Sequence, residues 1–400
     1  MNRKSGFLLL LIFLVLLFIY INSRTGNIFE KVEVEVYRHS IIVPIIIGGK
    51  TYSFHLDTGA PTSISKALYA ELSLSATDSS PAMDYYGNRR WVHNSVLPEI
   101  QIGNTAFSDV AVGIVNPIQS FFYCDKTIDG YLGSDFFRDK MLMMNLREKE
   151  IVITNNRSKL PIRRQDAIGL EFYGEQLSPM LLIGLSEEIK EWVLFDTGSG
   201  NHLYHPSSEN FNKMLTDGLM GTENILDTLY NSSGRGVFGS HQDSIIFRVQ
   251  YDMLKLGKTK LTNVRTSTFG GDGRSKIGAP LLKKGIVIID WKYRHLYFNP
   301  YPHQSMDFKP KAGFDLHYQG SKFYATSTDP KSLSYSSGVR DGFVLIHLNG
   351  IQMGSLTDCG LLNFDWRDEW SRPEVTAKLE FEGQEYCINE YKNPVYQSDF

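Results

Sequence analysis

The chain reads Tyr52-Ser53-Phe54-His55-Leu56-Asp57-Thr58-Gly59 where an apolar run meets a turn, and Glu191-Trp192-Val193-Leu194-Phe195-Asp196-Thr197-Gly198 repeats this pattern. Each context predicts a strand that ends in a turn carrying one carboxylate. One such tripeptide arises by chance in about one chain in ten of this length. The interpretation therefore depends on what surrounds the two copies.

A longer pattern repeats around both copies, with a period of about 140 residues. Gly133 follows Asp57 by 76 residues (133 − 57), and Gly278 follows Asp196 by 82 (278 − 196). The matching segments before and after the two turns are Ile41–Gly49 with Tyr131–Phe137, and Pro179–Leu185 with Lys276–Leu282. Each copy then closes with two apolar strands, Met141–Leu146 with Ile151–Ile153 and Ile286–Asp290 with His295–Phe298. Repetition at this scale predicts two similar structural units.

The chemistry of the repeat lies in its paired acids. Two Asp side chains brought face to face cannot both ionise cheaply, so they share one proton and act as general base and general acid on one water. Asp57 and Asp196 are therefore the candidate catalytic residues. Hydrolysis of a peptide bond is the reaction that this pair predicts.

At these residues the chain resembles the aspartic proteases, and specifically bacterial ones with two lobes of the retropepsin or pepsin kind in one chain. The resemblance covers Glu35–Pro300. It implies a mainly β, barrel-like bilobal fold with a peptide or protein substrate in the cleft between lobes, and no metal or organic cofactor. It also implies that Thr58 and Thr197 bond across the floor of the dyad. Short helices are expected at 134–139 and 279–284.

The residues that follow each Asp affect the geometry and the hydrogen bonding of the two turns. Gly59 and Gly198 give backbone angles closed to other residues, which lets the two turns approach closely. The next residue is Ala60 in one copy and Ser199 in the other, so a hydrogen bond from that side chain is available on one side only, and we expect an asymmetric dyad. Two alternatives stay open: the tripeptides are ordinary β-turns, or the fold binds peptides without cutting them.

Two segments are candidates for a lid over the cleft, because proteases of this kind lay a flexible hairpin over the substrate. Tyr85–Trp91 supplies Tyr85, Tyr86 and Trp91, and Ser233–Gly239 supplies Gly234 and Gly236. An ordinary hairpin tip explains the same residues.

The composition and net charge of the chain limit the other classes of function that it could have. With 42% hydrophobic and 21% charged residues and a net charge of −3, the chain is globular and long enough for two or three domains. Without a basic excess we expect no nucleic-acid partner. Strands are predicted at Val32–Val36, Ser108–Val115 and Ser244–Val249. His202, His205 and His241 lack metal-ligand spacing, so no metal site is predicted.

The first 24 residues differ from the rest. Arg3 and Lys4 precede an apolar run of 15 residues, Phe7–Ile21, which predicts an export signal in a hydrophobic helix. No Ala-x-Ala site follows, which favours an uncleaved anchor at the cell membrane with the catalytic region on its non-cytoplasmic side. If the signal is cleaved, the protein is periplasmic or secreted.

Beyond the repeat we predict a third unit. Tyr301–Gln304 has the composition of a linker, and the predicted divisions are 1–24, 25–160, 161–302 and 303–400. Ser336–Gly350 is expected to form a helix end, a turn, a strand and an Asn-Gly turn, and it resembles the bacterial PDZ domain, a small α+β module that captures a peptide C-terminus at a sheet edge. Asp341 precedes Gly342 in place of following it, and Ala312–Leu316 is the nearest candidate for a carboxylate-binding loop.

The last two expectations concern side chains of this third unit. Cys359 and Cys387 either pair, leaving Cys124 free, or stay reduced. Asn363–Trp370 is expected to form an amphipathic helix that buries Phe364, Trp366 and Trp370.

Overall fold

A computed structural model describes residues 27–37, 39–117, 126–200, 202–270, 274–308, 312–326, 328, 330–364, 366–370, 372 and 374–391. The chain is mainly β, as predicted, with few helices. The predicted N-terminal helix and the expected state of Cys124 lie outside the described residues. Within them, no helix is both long and apolar enough to cross a bilayer.

The first half of the repeat is built from strands β1 to β11. Their bounds are Phe29–Glu33, Glu35–Tyr37, Ser40–Ile47, Lys50–Asp57, Ser63–Ile64, Asp78–Met83, Arg89–Ile102, Thr105–Ile114, Gly130–Gly133, Met141–Asn145 and Glu150–Thr154. Helix α1, Lys66–Glu71, begins after Ser65, whose hydroxyl accepts a hydrogen bond from the N–H of Leu68. An eight-stranded sheet in the order β2-β3-β4-β9-β5-β8-β7-β6 results, and β4 lies near its centre.

The second half of the repeat contains strands β12 to β21. Their bounds are Ile168–Tyr173, Ser178–Gly184, Lys190–Asp196, Tyr204–His205, Ile225–Gly236, Gly239–Leu256, Thr259–Ser267, Lys276–Gly278, Gly285–Asp290 and His295–Pro300. Helix α2 spans Ser208–Thr216. Short 3₁₀ helices at Ser134–Phe137 and Ala279–Lys283 occupy the two positions where helices were expected.

The closing strands of the two halves join in one sheet. Its order from one edge is β1-β11-β10-β20-β21-β12, and β10 pairs with β20 in antiparallel fashion, Met141 opposite Asp290 and Met144 opposite Val287. Both strands are apolar and bury most of their residues, because a sheet covered on both faces needs apolar side chains on both. The two halves therefore share one hydrophobic core, which runs from Val32 to Phe298.

The predicted strands fall where the sequence pattern put them, with one difference. Ser108–Val115 and Ser244–Val249 correspond to β8 and β17. Val32–Val36 is divided, since β1 ends at Glu33 and β2 begins at Glu35. This division lets the chain pair first with β11 and then with β3, in two different sheets.

The C-terminal part has its own sheet and core. Strands β22 to β27 span Asp315–Gln319, Lys322–Thr326, Val344–Leu348, Ile351–Gln352, Glu374–Phe381 and Gln384–Tyr391, and helices α3 to α5 span Leu333–Ser336, Asp358–Asn363 and Trp366–Glu369. Asn349 and Gly350 both have positive φ (49° and 83°) in the turn between β24 and β25, which confirms the predicted Asn-Gly turn. The PDZ-like identity and the domain boundaries stay predictions.

Two side-chain expectations in this part can be compared with the structure. Trp366 and Trp370 are buried in its core and Phe364 packs against it, as predicted, although the helix there is limited to Trp366–Glu369. Cys387 is a free, exposed thiol, whereas Cys359 is disulfide-bonded. A pair between Cys359 and Cys387 is therefore wrong.

Candidate active site

Strands β4 and β14 carry Asp57 and Asp196 as their last residues. Each strand runs parallel to a short partner, so that Asp57 lies opposite Gly133 on β9 and Asp196 lies opposite Gly278 on β19. A Cβ at Gly133 would come within 2.3 Å of the backbone at Pro61, and one at Gly278 would come within 2.4 Å of two carbonyl oxygens. Both glycines are therefore required by close backbone approach.

The two turns are tied together by their threonines. The N–H of Thr58 donates to Oγ1 of Thr197, and the N–H of Thr197 donates to Oγ1 of Thr58, both at 3.0 Å. Each hydroxyl also donates to a carbonyl of the opposite half, Thr58 to Phe195 at 2.7 Å and Thr197 to Leu56 at 2.8 Å. All four bonds are buried, so residues 139 positions apart in the chain are held in one fixed geometry.

This arrangement brings the two carboxyl groups into contact. The side chains of Asp57 and Asp196 lie close enough for each carboxyl group to shift the pKa of the other. The glycines make the approach possible, since a Cβ at Gly59 would lie 2.6 Å from Cγ of Asp196, and one at Gly198 would lie 2.5 Å from Oδ2 of Asp57. Any other residue at these two positions would collide with the opposite carboxylate.

The outer contacts of the two acids differ. The N–H of Gly59 donates to Oδ1 of Asp57, and the N–H of Gly198 donates to Oδ1 of Asp196, both at 2.9 Å. Oδ2 of Asp196 accepts a hydrogen bond from Nζ of Lys276 at 2.6 Å, and this ion pair is almost completely buried, with the side chains 10% and 7% exposed. A lysine therefore lies within the dyad.

Burial and this lysine set the charges of the pair. Burial, together with the neighbouring charge of Asp196, raises the pKa of Asp57 to about 8. Burial acts to raise the pKa of Asp196, but the Lys276 ammonium, together with the hydrogen bonds from Asp57 and the Gly198 N–H, holds that pKa below its usual value. These opposite directions favour the proton on Asp57 and the negative charge on Asp196. The expected asymmetry is present, and Lys276 is a cause of it that the contrast between Ala60 and Ser199 did not suggest.

An aromatic group encloses Lys276. Nζ of the lysine lies 3.4 Å from the ring centroid of Tyr85. That ring packs on Phe269, with centroids 4.2 Å apart, and the Tyr85 hydroxyl is hydrogen-bonded to Nδ1 of His205 at 2.9 Å. Tyr85 belongs to the first half of the repeat, while its three partners belong to the second.

The hairpin that carries Tyr85 meets the long hairpin of the second half. Asp84, in the turn between β6 and β7, accepts a hydrogen bond at Oδ2 from the N–H of Phe238, in the turn between β16 and β17, at 3.0 Å. Arg90 donates to the Phe238 carbonyl at 3.2 Å. We call this contact between Asp84, Arg90 and Phe238 the tip contact.

The candidate lid residues have different positions relative to the tip contact. Tyr85 covers Lys276, Tyr86 packs edge-on against Tyr85 at 5.0 Å, and a Cβ at Gly236 would lie 2.1 Å from Oδ2 of Asp84. Gly234 pairs along β16 with the opposite strand. Trp91 extends away into solvent, 75% exposed. Their role as a lid stays a prediction.

Sequence reasoning missed two residues at this site. Lys276 was read only as part of the repeated glycine segment, although a charge inside an otherwise apolar strand was a usable signal. For His205 the sequence favoured a surface or hydrogen-bonding role over a metal site, and its hydrogen bond to Tyr85 was not foreseen. It is buried, its pKa is held well below the usual value by burial, and it lies beside His202, with ring centroids 4.8 Å apart. Among the described residues, no cluster of acids, histidines and cysteines suits a metal ion.

Comparison with known proteins supports the same chemistry for the first half. Residues 43–136 match the family model described as aspartyl protease, and this segment contains Asp57, Tyr85 and Gly133. A search of curated proteins gave no match. The match supports a peptidase of the aspartic type.

Proposed function

We propose that this protein is an aspartic endopeptidase of two similar lobes, in which Asp57 and Asp196 activate one water against a peptide bond. The observation that carries the proposal is the contact between these two carboxyl groups, with each Oδ1 held by the glycine of its own turn. The match of residues 43–136 to aspartyl proteases supports the same reaction.

The charges at the site assign a role to each acid. Asp196, ionised, accepts a proton from water as the water oxygen bonds to the peptide carbonyl carbon. Asp57, which holds the shared proton, donates it to the carbonyl oxygen. The tetrahedral product then collapses as the C–N bond breaks, the amide nitrogen takes the proton held by Asp196, and a hydroxyl proton returns to Asp57. An amine and a carboxylic acid leave, and the dyad is restored with one proton.

A substrate must pass the tip contact to reach the dyad. We propose that the hairpins on either side, with Tyr85, Tyr86 and Gly236 near their ends, form the lid, and that peptide binding separates Asp84 from Phe238. Thr58, Gly59, Thr197 and Gly198 then serve as the fixed floor. Ser199 follows this floor and donates its backbone N–H to the carbonyl of Asp196 at 3.1 Å.

The test is cleavage of a mixed peptide library by the full chain and by the variants Asp57→Asn and Asp196→Asn. We expect each variant to lose at least about 10³-fold in rate, because an amide can neither accept nor relay the proton. A statine-containing peptide should inhibit the unsubstituted protein. Equal turnover in all three proteins would exclude the dyad.

A second candidate is a peptide-binding protein without catalysis on the same fold. The observation that favours it is the ammonium of Lys276 on the oxygen of Asp196 that a water would otherwise use. This protein would bind library peptides and the statine compound but release every peptide intact. Mass spectrometry of the recovered peptides separates the two candidates.

Export and peptide capture are part of the same proposal. The apolar segment Phe7–Ile21 would anchor the protein in the cell membrane with the dyad on the non-cytoplasmic side. The six-stranded sheet at the C-terminus would capture a peptide end as a PDZ-like module. Membrane fractionation with protease protection tests the first, and binding of C-terminally free against amidated peptides tests the second.

A further inference from the structure

We infer that Lys276 is a positioning residue of the dyad: its ammonium, fixed on Oδ2 of Asp196 beneath the Tyr85 ring, keeps the negative charge on Asp196 and leaves the shared proton on Asp57. This inference rests on the proposed function, since it assigns the base and the acid of that reaction. It concerns a residue of the second glycine segment, outside residues 43–136 that match the family model.

The geometry of the lysine is fixed from two sides. Its strand, β19, pairs with β14 so that Lys276 lies opposite Leu194, two residues before the Asp. Its side chain turns back to Asp196 at 2.6 Å, and the Tyr85 ring lies 3.4 Å from Nζ. An ammonium has three N–H donors. One donor on Asp196 leaves two N–H groups of the ammonium that can donate to a water beside the same carboxylate.

The repeat shows that the lysine is specific to one half. Gly133 and Gly278 occupy equivalent positions, and the residue two before each is Tyr131 in the first half and Lys276 in the second. The first half therefore places a neutral phenol where the second places a positive charge. This difference adds a positive charge beside one of two otherwise similar Asp-Thr-Gly turns.

Among the described residues, few other titratable groups face Asp196 and Lys276. Asp57 and His55 face Asp196 from β4, and burial lowers the pKa of His55 to about 4, so it is neutral at pH 7. His205 on β15 faces Lys276, with the His202 ring beside it, and burial holds His205 neutral as well. Tyr85 faces it from the hairpin turn. Lys276 is the cation that acts on both carboxyl groups.

The positive charge of Lys276 decides the direction in which it shifts the pKa values of Asp57 and Asp196. A nearby positive charge favours the ionised form of a carboxyl group, so it lowers the pKa of both acids, and the effect is larger on Asp196, which it touches. Replacing it by a neutral side chain must raise both pKa values. The working pH range of the enzyme would move upward as a whole.

The experiment compares Lys276→Met with Lys276→Arg and with a matched control, Lys284→Met, in the full chain. Lys284 also lies over an aromatic ring, Phe308, at 4.6 Å, but outside the dyad. We expect Lys276→Met to move the acid limb of the kcat/KM profile upward by about 1–3 pH units, Lys276→Arg to restore most of that shift, and the control to leave both limbs in place.

A second measurement does not need activity. With ¹³C-labelled Asp carboxyl groups, the signals assigned through Asp57→Asn and Asp196→Asn are followed by NMR against pH in the full chain. We expect the midpoint of Asp196 to rise in Lys276→Met by a similar amount. If the unsubstituted protein cuts no peptide, the proposed function fails, while this titration still tests the lysine.

Two results would overturn the inference. One is a pH profile and a carboxyl titration in Lys276→Met that both coincide with those of the control variant. The other is a higher kcat/KM at every pH with unmoved limbs, which would make Lys276 an inhibitor of the dyad and not a residue that positions its proton.

Discussion

The hydroxyl groups of Thr58 and Thr197 each make two buried hydrogen bonds at the floor of this site. The Thr58 hydroxyl accepts from the N–H of Thr197 and donates to the carbonyl of Phe195, and the Thr197 hydroxyl makes the mirror-image pair of contacts. Each hydroxyl therefore satisfies two buried backbone groups of the opposite half. An isosteric methyl group would leave both groups without a partner.

Thr58→Val should lower the free energy of unfolding by about 2–5 kcal/mol, because two buried polar groups lose their partners at about 1–3 kcal/mol each. Thr58→Ser keeps the hydroxyl and should cost less than half as much. Urea unfolding followed by circular dichroism measures both. A loss in Thr58→Val no larger than that in Thr58→Ser would contradict the assigned role of the two hydrogen bonds.

His55 predicts how stability depends on pH. It is buried, and its pKa of about 4 in the folded state lies below the unfolded value near 6.5. In this window the unfolded chain binds more protons than the folded one, so stability falls as the pH is lowered from 6.5 to 4, by roughly 3 kcal/mol from this group. His205 acts in the same direction.

The variant His55→Leu tests this pH dependence. Leucine is the replacement because Leu194 occupies the equivalent position in the second half, two residues before Asp196. We expect the pH dependence of its unfolding free energy between pH 6.5 and 4 to flatten by roughly 3 kcal/mol relative to the unsubstituted chain. Denaturant titrations at several pH values give this slope. An unchanged slope would show that His55 is already charged or accessible in the folded protein.

At the scale of elements, the carboxylate of Asp84 links the hairpin of β6 and β7 to the hairpin of β16 and β17. Oδ1 of Asp84 accepts from the N–H groups of Tyr86 and Asn88 and so holds its own turn, while Oδ2 reaches Phe238 on the other hairpin. The same residue therefore shapes one tip and binds the second. Under the proposed function, this is the contact that peptide binding would open.

Asp84→Ala should speed hydrogen exchange at the amides of the 84–88 turn and at Phe238 by about 10-fold or more, since a charge-assisted bond contributes about 1.5–3 kcal/mol. Trp91→Ala, on the same hairpin with its side chain in solvent, serves as the control and should leave exchange at both tips unchanged. Mass spectrometry of peptide fragments provides the rates. Equal protection in Asp84→Ala would mean that Tyr85 and Arg90 hold the hairpin without the Asp84 carboxylate.

At the scale of the whole molecule, the chain contains two separate large cores. One includes both halves of the repeat and Trp291, and the other lies in the C-terminal part and includes Trp366 and Trp370. The sheet formed by β10 and β20 unites the two halves into one body. Cooperative unfolding follows a shared core, so the repeat should behave as one unit and the C-terminal part as another.

We expect two unfolding transitions in a reducing buffer, which removes the Cys359 disulfide. A chain with Trp366 and Trp370 replaced by Phe should report the first core, and one with Trp91, Trp192 and Trp291 replaced by Phe should report the second. Fluorescence against urea concentration gives the two midpoints. Coincident midpoints for the two probes would show that the C-terminal part does not unfold on its own.

Sequence alone determined the mainly β class and the strands that carry the two Asp-Thr-Gly turns. It also determined the short helices after Gly133 and Gly278 and the Asn349-Gly350 turn. These features are local: alternation of apolar residues, the freedom of glycine and the turn preference of Asn act within a few residues. The repeat also predicted that the two acids form a pair, because it placed each at the end of an equivalent strand.

Only the tertiary structure decided what surrounds that pair. Lys276 is 80 residues from Asp196 in the chain, and Tyr85 and Phe238 come from hairpins of different halves. The ion pair, the ring above it and the tip contact exist because β14 pairs with β19 and because the two halves pack on one core. Such contacts depend on long-range pairing, and no local pattern encodes which charge will be buried beside which acid.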